Sequence, residues 1–182
     1  WFDDDVDGSD DPELSDGILD LESSDNPFVD YSMVFIPSCT GDVHMGTRTV
    51  TYGPHTVEQK GHLNATAALE RAYADFPDAR EVFVTGCSAG SVGSAFHVDS
   101  VLEQYPDARV TQVGDSLAFV FHRPISLETW GAHEVFPEWF SPPRPNGRWT
   151  MVEYLTALAE QYPERTFARF NHAQDDVQVQ FY

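Results

Sequence analysis

Basic residues are scarce in this 182-residue chain. Ten Lys and Arg face thirty Asp and Glu, and Lys60 is the single lysine. The resulting charge of −20 at pH 7 repels nucleic acid and anionic membrane surfaces, so neither is expected as a partner. Long apolar runs are missing as well. No stretch approaches the roughly 20 apolar residues of a membrane span, so none is expected. Only two cysteines occur, too few for a zinc motif, and the seven histidines lack H-x-x-x-H spacing. A Walker loop is absent, and so is a G-x-G-x-x-G at a strand–helix turn, which removes the common nucleotide cradles.

What the chain does contain is acid, apolar bulk and aromatic rings. With 41% apolar and 13% aromatic residues it is long enough for one domain with a sizeable core. Abundant Asp, one lysine and a pI near 4.3 fit a protein from a high-salt environment. At molar salt the Debye length is about 3 Å, which screens self-repulsion. An ordinary acidic secreted protein is the alternative.

Residues 1–30 are acidic and turn-rich and read as surface loop. Within them Asp3, Asp5, Asp7 and Gly8 form a D-x-D-x-D-G run of the kind that supplies calcium ligands. Leu14 stands where an EF-hand loop would carry its glutamate, so calcium is set against a solvated loop; no other cofactor is expected. Apolar patterning predicts strands over 33–39, 47–53, 81–86, 108–116 and 165–173, and helices over 64–77, 88–106 and 151–163. This order predicts an α/β fold: a mostly parallel sheet with helices on both faces. Residues 117–149, long and aromatic-rich, are expected as a lid or pocket wall, with a satellite core as the alternative. Cys39 and Cys87 each follow an expected core strand, as a disulfide pair or as two buried thiols.

The stretch Gly86-Cys87-Ser88-Ala89-Gly90 is G-x-S-x-G between a strand and a helix, the setting of a nucleophile elbow. Ser88 would stand above the sheet edge. The Ala89 N–H, at the helix start, would face a developing oxyanion. Serine chemistry also needs a base and an orienting carboxylate. Asp175 and Asp176, directly after the last predicted strand, are both candidates for the acid. An idle Gly-rich turn is the bland alternative.

The chain resembles the pectin acetylesterase and Notum family of secreted serine carboxylesterases, in its prokaryotic branch. The resemblance rests on residues 17–46, with I-P-x-C-T-G-D-V-H, on 61–70, on G-C-S-A-G-S, on Gly114-Asp115-Ser116 and on 171–182. It implies an α/β-hydrolase fold, secretion, and a small-molecule or carbohydrate ester as substrate. It matches Ser88 to the nucleophile, Asp175 to the acid, Ala89 to an oxyanion donor and Asp115 to a supporting role. The family's Gly-Gly-rich oxyanion motif is not found upstream, and its catalytic histidine lies downstream of the acid. The chain is therefore expected to be the central portion of one domain, incomplete at both ends, with its base beyond residue 182. Within the chain, His172 and His44 are the candidate bases. A binding or assembly module that kept the fold without catalysis is the rival reading.

Overall fold

The computed structural model describes residues 17–116, 128–141 and 151–179. Two compact units divide the chain, 1–35 and 36–182. In the first, side-chain-to-backbone bonds do the organising, as a segment rich in Asp, Ser and Asn dictates. Asp20 Oδ1 accepts from the N–H groups of Glu22 and Ser23, and Asn26 Nδ2 donates to the carbonyls of Ile18 and Asp20.

The second unit opens its regular structure with a hairpin, β1 (Arg48–Tyr52) and β2 (His55–Gln59). Its two-residue link carries Gly53 at φ 59°. Helix α1 (Gly61–Asp75) ends just ahead of Pro77, which cannot continue it. Then β3 (Glu81–Cys87), α2 (Ala89–Gln104), β4 (Arg109–Asp115), α3 (Met151–Gln161) and β5 (Thr166–Phe170) follow in turn. The three strands form a parallel sheet in the order β3-β4-β5. A short helix, α4 (Asp176–Val179), comes after β5.

Both crossovers step the same way along the sheet, so their right-handedness puts α2 and α3 on one face. Burial agrees. On β4, Val110, Gln112 and Gly114 are buried in alternation, and Phe167, which pairs with Gln112, packs on the same core. All residues from Ser91 to Asp99 of α2 are buried. Met151, Tyr154 and Leu158 of α3 are 0–1% exposed, at the spacing of one helical face. A second covered face, expected from the sequence, is not found in α2 and α3.

The strand expected over 33–39 is not formed. Met33, Val34 and Phe35 are exposed, and among the described residues the backbone of 32–39 joins no strand ladder. An apolar run predicts burial but names no partner, and a strand without a neighbour has no ladder. The same failure removes the reason to join the cysteines: Cys39 and Cys87 are free and exposed, so the disulfide is corrected to two thiols. The aromatic segment is core where it is described. Phe136, Trp139 and Phe140 pack on Phe96 and Tyr154, and Trp139 Nε1 donates to the buried Asp99 at 3.1 Å. Residues 117–127 and 142–149, on which a lid would depend, lie outside the described residues.

Candidate active site

At the turn from β3 to α2 the backbone leaves the ordinary regions. Ser88 sits at φ 53°, ψ −115°, a region that L-residues adopt only when their surroundings impose it. Its N–H donates to the carbonyl of Asp115 at 2.9 Å, and its own carbonyl accepts from Ser91 N–H at 2.9 Å. The first bond ties the turn to β4 and the second starts the helix. Gly86 makes the turn possible: a Cβ there would lie 2.3 Å from the Gly90 backbone. Gly90 itself faces open space, so the crowding runs one way only. Ser88 is exposed, at the N-terminus of a 16-residue helix.

The carboxyl ends of the strands bring further groups to this point. Cys87 pairs with Asp115, and Asp115 with Phe170. Ser116 follows at φ 59°, with its N–H on the Phe170 carbonyl at 2.8 Å and its hydroxyl on the Asp115 carboxylate. Cys87 is exposed as a residue, but partial desolvation of its thiol, and then the carboxylates of Asp115 and Asp175, push that thiol up. Asp175 is therefore close enough to act on the residue next to Ser88. It is half-buried, and its Oδ1 accepts from Val177 N–H at 3.1 Å, capping α4. Asp176 is exposed inside that helix.

The two candidate bases lie in different places. His172 is exposed past the end of β5, its ring edge-on to Phe170 at 5.2 Å. His44 is buried, and its ring lies over Gly93 of α2, where a Cβ would come within 2.7 Å of it. Neither ring is hydrogen-bonded to the Ser88 hydroxyl among the described residues. Asp3, Asp5 and Asp7 lie outside the described residues.

Sequence reasoning did not find Asp42. This carboxylate is fully buried, accepting from the Gly61 N–H at 2.7 Å and from the Thr40 hydroxyl at 2.7 Å. A Cβ at Gly46 or Gly61 would lie 2.1 Å from its oxygens. The signal lay in two small residues far apart in the chain, and only the folded contact connects them.

No helix among the described residues is long and apolar enough to cross a membrane. A family profile described as Pectinacetylesterase matches residues 9–138. No curated protein and no solved structure matches the chain.

Proposed function

Since the chain belongs to the pectinacetylesterase family, we propose that it is a serine carboxylesterase that removes small acyl groups, acetyl above all, from a carbohydrate. The family's name denotes acetyl-ester hydrolysis. The observation that carries the serine mechanism is the strained, exposed Ser88 at the start of α2. Strain of this kind persists only where the fold over-determines it, and it lifts the hydroxyl clear of the sheet.

In this reading Ser88 Oγ attacks the ester carbonyl while a histidine takes its proton. The negative charge that develops on the carbonyl oxygen faces the Ala89 N–H and the positive end of the α2 dipole. Collapse expels the alcohol with the proton and leaves an acetyl-serine, which water then hydrolyses by the reverse proton path. Asp175 orients the histidine. His172 and His44 are the chain's own candidates for that base. We assign the role to the family histidine that the resemblance places downstream of the acid. The proposed carbohydrate substrate and the family match support a protein that acts outside the cell.

The test is the Ser88→Ala variant of the full-length protein with p-nitrophenyl acetate. Nearly all turnover should disappear while the fold, read by circular dichroism, is retained. Wild-type turnover in that variant would refute the assignment. An absence of turnover in the parent itself would favour the rival, a binding module that has kept the elbow.

A further inference from the structure

A second strained point lies in the loop before β1. Val43 and His44 both take left-handed backbone, at φ 49° and 64°. Two such residues in succession, one of them β-branched, cost of order 1–3 kcal/mol each unless held in place. Asp42 holds them from one side, clasped by Gly61 N–H and Thr40 and fitted into the space that Gly46 and Gly61 leave. Helix α2 holds them from the other. The His44 ring covers Gly93, and the His44 carbonyl is bonded to His97 Nε2 at 3.1 Å. His62 of α1 stacks on His97 at 4.9 Å, closing the block.

The placement of this block on α2 matters. Residues four apart share a helix face, so Ala89, Gly93 and His97 form one line. The His44 ring therefore sits one turn, about 6 Å along the axis, from the residue whose N–H begins that line. Ala89 adjoins Ser88. A strained loop pressed on this line fixes how α2 enters the elbow.

We propose that His44 is a positioning residue for the ester hydrolysis: its ring, seated on Gly93, fixes the line of α2 that begins at Ala89 and so sets the Ser88 hydroxyl and Ala89 N–H for attack. This rests on the serine reading above. It gives a catalytic reason for a glycine within the buried stretch of α2, where propensity favours alanine.

Two variants of the full-length protein test it with p-nitrophenyl acetate, each assayed beside Ser88→Ala. Gly93→Ala places a methyl where the ring lies. His44→Asn keeps a residue that tolerates left-handed backbone and removes the ring. Reactive serines are counted by burst titration with a p-nitrophenyl phosphonate, and turnover is expressed per titrated serine. We expect kcat per serine to fall about tenfold to a hundredfold in both, with KM within about threefold, as for a displaced reacting group. A role in stability alone would lower the number of reactive serines and leave turnover per serine unchanged, which would overturn the proposal. So would restoration of His44→Asn by added imidazole with Gly93→Ala unaffected, because His44 would then be the base. If Gly93→Ala does not fold, His44→Asn decides alone. Should Ser88→Ala keep turnover, the serine reading itself falls; with Ser88→Ala inactive and both variants normal, only the positioning role does.

Discussion

The backbone N–H of Ser88 donates to the carbonyl oxygen of Asp115 at 2.9 Å. It adds one bond beyond Cys87↔Asp115, the last pair of the β3–β4 ladder, so the strained residue is held by the sheet rather than by its own preference. The elbow is the place where a parallel ladder has just run out and a helix must begin. At this turn a small residue is required at Gly86, where backbone meets backbone.

That distinction separates two glycines of the same motif. In Gly86→Ala the new methyl would lie 2.3 Å from the Gly90 carbonyl group. Backbone cannot step aside as a side chain can, so a loss of about 1–3 kcal/mol or more is expected. Gly90→Ala meets open space within α2, where replacing glycine should gain up to about 1 kcal/mol. Urea unfolding midpoints of the two variants should therefore move in opposite directions. Equal losses would mean that the turn is crowded on both sides.

Acid should loosen the histidine block. Burial holds His44 and His62 below 6.5, against the opposing pull of Asp42. His97 is lowered to about 4, by burial first and then by His62, against the pull of its bond to His44. The unfolded chain binds protons near pH 6.5 and the folded block does not, so the unfolded state gains protons first as pH falls. The block's contribution is complete above about pH 6.5 and is lost as pH falls toward about 4. For the buried His97 this amounts to roughly 3 kcal/mol. Unfolding free energy measured across that window should fall with acid, and less steeply in His97→Gln, which cannot charge. Identical slopes would remove His97 as the cause.

Much of the second unit could be read from the sequence, because local pattern specified it. The expected strand over 81–86 and helix over 88–106 are Glu81–Cys87 and Ala89–Gln104, and G-x-S-x-G between them marks the turn. The segment 33–39 misled, since its apolar run carries no information about a partner strand. Asp42 was invisible for a related reason: its ligands Thr40 and Gly61 and its neighbour Gly46 are joined only in the fold. The position of both candidate acids after the last strand was legible. What separates Asp175 from Asp176 is which of them caps α4, a matter of one residue that periodicity does not reach.

Salt should stabilise the protein. The chain carries a charge of −20, and among the described residues the ion pairs of Arg48, Lys60, Arg71 and Arg109 lie on the surface, where each is worth little. Raising KCl from about 0.1 M to about 1 M shortens the Debye length from about 10 Å to about 3 Å, which screens repulsion across the whole surface. Each kcal/mol so relieved raises the thermal midpoint by about 2–4 °C for a chain of this size. A midpoint that stays level or declines with KCl would place the acidic surface in the ordinary secreted class.

The two neighbouring carboxylates give the sharpest test of the catalytic assignment. Asp175 is half-buried, lies close enough to raise the Cys87 thiol, and accepts from Val177 N–H; Asp176 is exposed within α4. An acid that orients a histidine stabilises the imidazolium formed as Ser88 gives up its proton, so its loss should be felt in kcat more than in KM. Asp175→Asn keeps the shape and the acceptor for Val177 N–H, so the helix cap survives while the charge is gone. In the full-length protein it should lower kcat about 10³–10⁴-fold on p-nitrophenyl acetate, whereas Asp176→Asn should stay within about threefold of wild type. Thermal midpoints of both should remain near the parent's, which separates catalysis from folding. The reverse pattern, with Asp176→Asn inactive and Asp175→Asn normal, would move the acid one residue along and leave Asp175 as a helix cap.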